Sequence, residues 1–182
     1  MAWMLDTILM SIKPEKRNAN THAVTGKPVE YGGTKGREEA TGLGMVYIIE
    51  KWAENKNIKI ENMKIAVQGI GNSGFWVSKY LSSKGAKIIG IETYRGAVYS
   101  KNGIEPNILM NYIRSKKSIK EIENSKVIDH NEFMSLDVDI FIPAALESQI
   151  VEENADKIKA RLIIEGVNGS VEREAEAILH KK

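Results

Sequence analysis

Three glycines spaced G-x-G-x-x-G are the residues of this sequence best suited to chemistry at a bound ligand. They are Gly69, Gly71 and Gly74, and the first of them ends the apolar run of residues 63–69. In such a loop the first glycine makes a tight turn, the second lets the backbone approach a phosphate, and the third lets a helix lie close to the strand. Unpaired N–H groups and the positive end of the helix dipole then favour an anion. The loop predicts a site for the pyrophosphate of a dinucleotide, and a tight turn without a ligand is the alternative.

An acidic residue lies where a dinucleotide site would use one. Such sites expect a carboxylate about 20 residues after the glycines, at the end of a second strand, to bind the adenosine ribose hydroxyls. Glu92 occupies this place, although it could also be a solvated strand end. A carboxylate accepts hydrogen bonds from hydroxyls and repels a 2′-phosphate, which favours NAD. Arg95 follows closely and would neutralise such a phosphate, so NADP remains possible.

The segments around the glycines alternate between strand and helix patterns. After the loop, apolar residues recur at helical spacing up to Leu81, and residues 86–93 form a second apolar run. A strand, a helix and a strand within about thirty residues are typical of a βαβ unit. Two later apolar runs, residues 138–145 and 161–166, continue the alternation. We predict an α/β fold with a Rossmann-like, doubly wound, mostly parallel sheet and helices on both of its faces.

The first third of the chain has a different pattern. Residues 1–12 predict a helix with a packed face formed by Trp3, Met4, Leu5 and Ile8, and residues 13–36 predict a long loop. Helical spacing then returns over residues 37–55, with a buried face. The residues of that face are Met45, Ile48, Ile49, Trp52 and Ala53. We therefore divide the chain into a helix and loop, residues 1–36, and a dinucleotide-binding domain, residues 37–182.

A further helix is predicted over residues 104–118. The lysines and glutamates of residues 116–123 are interpreted as a solvated face.

Composition excludes several other classes of function. The 26 basic and 24 acidic residues give a net charge of +2, so we expect no nucleic-acid partner and no anionic membrane surface. Without cysteine there is no disulfide and no thiolate metal site, and the three histidines are far apart in the sequence. We predict no metal. No secretion signal and no apolar run of about 18 residues is present, which predicts a cytoplasmic protein.

Residues 25–44, TGKPVEYGGTKGREEATGLG, resemble the hexameric glutamate dehydrogenases, a family marked by TGKP followed by GGS-x-GR-x-EATG-x-G. Three more stretches match in order: VQGIGNSG (67–74), PAALESQIVEENADKIKA (143–160) and IIEGVNGSVEREAEAIL (163–179). The start, MAWMLDTI, is similar to the helix before the family's cofactor domain. Leucine, phenylalanine and valine dehydrogenases share the fold and a glycine loop but generally lack the TGKP run, and they are the alternative.

The resemblance implies cofactor roles for residues beyond the glycines. Thr41 and Asn168 would lie near the nicotinamide amide, and Asn72 and Ala144 would border the phosphates and ribose, although Asn168 could belong to a plain turn. The full set of predicted cofactor-binding residues is Arg37, Thr41, Gly69, Gly71, Asn72, Ser73, Gly74, Glu92, Ala144, Ala145 and Asn168.

Five positions depart from the family pattern. Thr34 stands where serine is usual, Thr93 where aspartate or glycine is common, and Ser148 where asparagine is usual. Val167 and Ser170 replace the alanine and proline of EGANGP. The preference for NAD or NADP therefore does not transfer from the family.

The family oxidises L-glutamate to 2-oxoglutarate and ammonia with lysines and an aspartate of a separate substrate domain, which precedes the MAWM helix. This resemblance implies an NAD(P)-binding domain truncated at both ends, and we predict no catalytic residue in the chain and no glutamate oxidation by the chain alone. Its partners would be a nicotinamide dinucleotide, other dehydrogenase subunits or a separate substrate domain. A regulatory or structural nucleotide-binding module, or a fragment of a leucine- or phenylalanine-type dehydrogenase, is the alternative.

Overall fold

The computed structural model describes residues 1–115 and 117–182, in two units, Met1–Ala40 and Thr41–Lys182. The first unit contains helix α1 (Ala2–Met10) and 3-10 turns at Pro14–Lys16, Asn18–Ala23 and Val29–Tyr31. The predicted long loop therefore contains three short turns.

The predicted packed face of α1 is only partly buried. Leu5 is buried and Ile8 is half-buried, but Trp3 is 89% exposed and Met4 is also exposed. Burial of Trp3 and Met4 was therefore a wrong prediction, because the sheltered face of the helix contains Ala2, Leu5, Ile8 and Leu9 instead.

The second unit alternates strands and helices. Helix α2 (Ala40–Asn55) runs into it from the first unit. The elements that follow are β1 (Lys64–Gln68), α3 (Asn72–Ser83), β2 (Lys87–Thr93), β3 (Gly96–Tyr99), α4 (Pro106–Arg114), β4 (Lys126–Ile128), α5 (His130–Met134), β5 (Ile140–Pro143), α6 (Glu152–Ala155), β6 (Leu162–Ile163) and α7 (Arg173–Leu179). None of the helices described is long and apolar enough to cross a membrane.

The six strands form one sheet in the order β4-β3-β2-β1-β5-β6. The pairs β1–β2, β1–β5 and β5–β6 are parallel, as predicted, whereas β3 is antiparallel to both β2 and β4. Strands β3 and β4 were not predicted from the sequence. They are only four and three residues long, and β3 turns back from β2 at once, pairing Gly96 with Thr93. The sheet is therefore mixed and mostly parallel.

The sheet has a hydrophobic core on each side. Ile65 and Val67 of β1 pack in a cluster with residues of α2 and α3, and Ala66 packs in a second cluster with residues of α5. Since side chains alternate across a strand, these clusters lie on opposite faces of the sheet. Helices on both faces, as predicted, make β1 a central strand that is buried from Ile65 onwards.

The predicted buried face of α2 needs one correction. On α2, Met45, Ile49 and Ala53 are buried as expected, and Trp52 is half-buried, but Ile48 is 58% exposed. An α-helix has 3.6 residues per turn, and the buried residues of α2 form a face centred near Val46. Ile48 lies outside that face.

The lysines and glutamates of residues 116–123 were predicted to form a solvated face. Lys117, Lys120, Glu121 and Glu123 are exposed, as predicted, while Ile119 and Ile122 between them are buried. Lys116 lies outside the described residues.

Candidate functional site

The direction in which successive strands are added to the sheet reverses at β1, because β2 lies on one side of β1 and β5 lies on the other. In open α/β sheets ligands bind beyond the carboxyl ends of the strands at such a reversal. A cavity of about 540 Å³ opens at this point. Its lining residues are Gln68, Gly69, Ile70, Gly71, Glu92, Thr93, Tyr94, Arg95, Ile119, His130, Ala144, Ala145, Leu146 and Gln149.

The three glycines of the loop differ in their surroundings. Gly69 has a φ of +87°, and a Cβ on it would lie 2.6 Å from the Cα of Ala145. A Cβ on Gly74 would lie 1.9 Å from the carbonyl oxygen of Gly69. Gly71 is the opposite case, because no atom lies within 4 Å of its Cβ position. Gly69 and Gly74 are therefore required by the packing of the protein itself, while Gly71 leaves open space beside the backbone.

Helix α3 begins at this open position. Gly71 is its N-cap, and no side chain caps the helix. The first turn of any α-helix leaves N–H groups without intrahelical partners, and the helix dipole adds positive potential there. Asn72 is exposed and Ser73 is half-buried in this turn. The end of α3 that borders the cavity can therefore bind an anion.

Backbone hydrogen bonds hold the loops around the cavity. The Gly69 N–H donates to the Glu92 carbonyl at 2.7 Å, and the Ala144 N–H donates to the Gln68 carbonyl at 2.7 Å. The first bond continues the pairing of β1 with β2 by one residue, and the second continues the pairing of β1 with β5 by one residue. The glycine loop, the end of β2 and the loop after β5 are therefore joined into one rim by backbone hydrogen bonds.

Glu92 lies on this rim with its side chain 11% exposed. Its Oε2 accepts a hydrogen bond from Gln68 Nε2 at 2.9 Å, and its Oε1 lies 2.9 Å from His130 Nδ1. Gln68 Nε2 also donates to Gln149 Oε1 at 2.8 Å. Gln68 Oε1 is buried without a hydrogen-bond partner. No role was predicted from the sequence for Gln68, His130 or Gln149, which surround the one acidic residue of the predicted site.

A signal for Gln68 was present in the sequence, because it is a polar residue at the end of an apolar strand, directly before the glycine loop. No such signal existed for His130. It reaches Glu92 because the antiparallel strands β3 and β4 bring the start of α5 back to the end of β2, and those strands were not predicted.

Next to Glu92, the turn between β2 and β3 adds a cation to the cavity. Arg95 Nε donates to Tyr94 Oη at 2.7 Å, and the guanidinium lies 5.1 Å from the centre of the Tyr94 ring. Tyr94 is 90% exposed. Arg95 and Tyr94 therefore present a flat, positively charged surface beside Glu92.

The loop after β6 carries Asn168, which is exposed and does not line the cavity. Glu165 Oε2 accepts hydrogen bonds from Ser170 Oγ at 2.8 Å and from the Val171 N–H at 3.0 Å. The family's proline in place of Ser170 could not donate the first bond. At the start of the loop, a Cβ on Gly166 would lie 2.7 Å from Ala144 Cβ. The Asn168 loop is therefore held by the hydrogen bonds to Glu165, and it packs against the loop after β5.

The structure brings five of the predicted site residues together in the cavity lining: Gly69, Gly71, Glu92, Ala144 and Ala145. Asn72, Ser73 and Gly74 form the first turn of α3 beside it. Thr41 is exposed in the first turn of α2 and is not a lining residue. Arg37 is exposed and belongs to the first unit. The cofactor roles of all these residues remain predictions.

The sheet order and the cavity at its reversal place the protein among the open α/β proteins with a mostly parallel sheet. Within the described residues no group of three histidine, aspartate or glutamate side chains is close enough together to hold a metal ion.

Residues 32–182 match the model of the Glutamate/Leucine/Phenylalanine/Valine dehydrogenase family, and the chain belongs to this family. The resemblance drawn from the sequence motifs is thereby confirmed at the level of the family.

Glutamate dehydrogenases are among its relatives. The enzyme of Aeropyrum pernix is 40% identical over 182 residues, which is 100% of this chain and 43% of that protein. The NAD-specific glutamate dehydrogenase of Staphylococcus aureus is 38% identical over 182 residues, again 43% of its length. The hetero-hexameric glutamate dehydrogenase of Thermus thermophilus, in a leucine-bound crystal structure, aligns with a TM-score of 0.79 at 26% identity. That alignment covers 88% of this chain and 38% of the other. The chain spans less than half the length of these relatives.

Proposed function

We propose that the unit Thr41–Lys182 is the Rossmann-like, doubly wound, NAD(P)-binding domain of a glutamate dehydrogenase and that it binds NAD at the carboxyl ends of β1, β2 and β5. The observation that carries the proposal is the open space at Gly71, at the point where the glycine loop meets the uncapped start of α3. A pyrophosphate at this point would meet backbone N–H groups and the positive end of the helix dipole.

The surroundings of the cavity fit the two ends of a dinucleotide. On one side, Glu92 can accept hydrogen bonds from ribose hydroxyls, because a carboxylate has about four acceptor positions and the structure fills two of them. On the other side, the fastened loop of Asn168 and the exposed hydroxyl of Thr41 are candidates for the nicotinamide amide. Relatives named NAD-specific favour NAD, and Arg95 leaves NADP as the alternative.

We assign cofactor binding to this chain and glutamate oxidation to the whole enzyme. When bound, nicotinamide supplies the hydride acceptor, and deamination also needs a proton-transfer group at the substrate. In the part of the chain that is described, no lysine lines the cavity. Thermal unfolding should therefore respond to NAD, while glutamate turnover by this chain alone should be negligible. Association with other dehydrogenase subunits belongs to the same proposal and would be seen as co-migration with a full-length relative.

The test compares two glycine variants. Gly71→Ala adds a methyl group where the protein has open space, so it should fold normally and block the close approach of the pyrophosphate. Gly44→Ala adds a methyl group in the middle of α2, also with no atom within 4 Å, and is the matched control.

NAD at 100 times its Kd should stabilise the original chain and Gly44→Ala by about 2.7 kcal/mol, and Gly71→Ala far less. Equal stabilisation of all three would contradict phosphate binding at Gly71. No stabilisation by either NAD or NADP would overturn the proposed function.

A further inference from the structure

We propose that His130 is a specificity-determining residue, which sets the preference between NAD and NADP by controlling the net charge beside the ribose position at Glu92. This inference rests on the proposed function and extends it to a residue outside the glycine loop.

The geometry makes Glu92 and His130 a single electrostatic unit. His130 Nδ1 lies 2.9 Å from Glu92 Oε1, within hydrogen-bond distance. The Glu92 side chain is 11% exposed, whereas that of His130 is 53% exposed, so the imidazole is the solvent-accessible member of the pair. Gln68 Nε2 holds the other carboxylate oxygen at 2.9 Å and thereby fixes the orientation of the pair.

The charge of this unit depends on His130. With a neutral imidazole that donates from Nδ1, the pair carries one negative charge; with a protonated imidazole it is neutral. Among the described residues, the ionisable groups of the cavity lining are Glu92, Tyr94, Arg95 and His130. A protonated His130 therefore leaves Arg95 as the uncompensated charge of the lining.

The other charged groups near His130 come from α5 and the elements packed against it. Strands β2 and β3 pack against α5. Lys126 pairs with Glu132 of α5, Asp129 caps that helix, and Lys157 donates to Asn131. The ionisable side chains of β2 and β3 are those of Lys87, Glu92 and Tyr99. Of these groups, the structure gives only Glu92 a hydrogen bond to the His130 ring.

NADP differs from NAD by a phosphate on the ribose that the fingerprint brings to this strand end. A phosphate carries about −1.5 to −2 charges at neutral pH, so a negative Glu92–His130 unit repels it. Histidine is the side chain that ordinarily changes charge between about pH 5 and 8. The affinity for NADP relative to NAD should therefore rise as pH falls, and Arg95 would then bind the phosphate without opposition.

The experiment measures the Kd of NAD and of NADP by calorimetry at about pH 8 and pH 5.8. For the original chain the ratio of the NADP Kd to the NAD Kd should fall about tenfold on acidification, because the 2′-phosphate then meets a neutral Glu92–His130 unit instead of one with a single negative charge. The phosphate of NADP titrates in the same range. His130→Gln, which keeps a polar side chain at the helix start, measures that contribution alone and should show a clearly smaller fall.

The same measurement is made on a second variant, Glu92→Gln. It removes the negative charge at all pH values, so its ratio at pH 8 should be about tenfold lower than that of the original chain. Circular dichroism checks the fold of both variants, and if Glu92→Gln fails to fold, the His130→Gln comparison decides the outcome alone.

An equal fall of the ratio in the original chain and in His130→Gln would overturn the inference while leaving NAD binding intact. The inference would also be overturned if the ratio of the NADP Kd to the NAD Kd of the original chain does not change with pH. If the original chain binds neither NAD nor NADP, the proposed function is overturned, and this inference with it.

Discussion

Gly74 and Gly69 are packed so closely that a Cβ on Gly74 would lie 1.9 Å from the carbonyl oxygen of Gly69. The contact joins the first turn of α3 to the end of β1, and the next nearest atom, the Gly69 carbonyl carbon, is 3.0 Å away. Since the backbone cannot rotate away as a side chain can, the third glycine of the motif is needed for the position of the helix whether or not a ligand binds.

Gly74→Ala should therefore destabilise the fold. We expect the free energy of unfolding to fall by ~1–3 kcal/mol, because the added methyl group must push α3 away from β1. Urea unfolding followed by circular dichroism measures the change. Gly44→Ala in α2 is the control and should instead gain up to ~1 kcal/mol through helix propensity. Equal stability of the two variants would show that the loop relaxes at little cost.

Ser148 has a φ of +52°, in the left-handed region that residues with a Cβ rarely adopt. Its N–H donates to the Gly169 carbonyl at 2.8 Å, which links the loop after β5 to the loop of Asn168. Asparagine tolerates this conformation better than serine does. Ser148→Asn should raise the free energy of unfolding by a fraction of the roughly 1–2 kcal/mol that the left-handed conformation costs. Ser135, with a φ of −95°, is the control, and Ser135→Asn should give no gain; a loss of stability in Ser148→Asn would contradict this account.

The local sequence was sufficient to predict the central part of the fold. Residues 65–67 of β1 are continuously apolar because the strand is buried on both faces, and Gly85, with a φ of +86°, follows the end of α3. Both signals depend only on neighbouring residues. The parallel strands β1, β2, β5 and β6 could therefore be located from the sequence alone.

The edge of the sheet and the charged centre of the cavity could not be predicted in this way. Strands β3 and β4 are too short to show a periodicity, and their pairing with β2 depends on contacts between residues distant in the sequence. His130 is 38 residues from Glu92 along the chain, so only this pairing brings them together. The sequence around His130 contains no pattern that indicates this contact.

An ion pair at the opposite end of β1 gives a pH-dependent prediction that is independent of the cavity. Lys64 Nζ lies 2.6 Å from Asp137 Oδ2, and this hydrogen bond lowers the pKa of Asp137 below its ordinary value of 3.8 and raises the pKa of Lys64 above 10.5. A carboxyl group whose pKa is lowered by folding stabilises the protein above its ordinary pKa, and this stabilisation is lost as pH falls through the folded value. The raised pKa of Lys64 has the opposite dependence, with loss at high pH.

Asp137→Asn should therefore lower the Tm slightly at pH 7 and have no effect in acid well below pH 3.8. The effect is small because both side chains are exposed to solvent, and about 1 M salt should remove most of it. Thermal unfolding at the two pH values and two salt concentrations measures this. NAD binding should not change, since Lys64 begins the strand that ends at the cavity. A Tm difference that persists in acid would show that the substitution acts through packing instead.

Gln68 is placed so that its amide can donate to Glu92, and a carboxylate cannot replace it. Gln68→Glu would put a second carboxylate where Nε2 now lies 2.9 Å from Glu92 Oε2. Two carboxylates at this distance repel when both are ionised and share a proton when one is protonated. The variant should lose about 3 kcal/mol of unfolding free energy at pH 8, the cost of a buried charge without a partner, and recover part of this loss at pH 5. Gln68→Met, which keeps the volume and adds no charge, should be less destabilised and show no such recovery. Urea unfolding of both variants at the two pH values measures the difference, and a pH-independent loss in Gln68→Glu would mean that the introduced carboxylate turns away from Glu92.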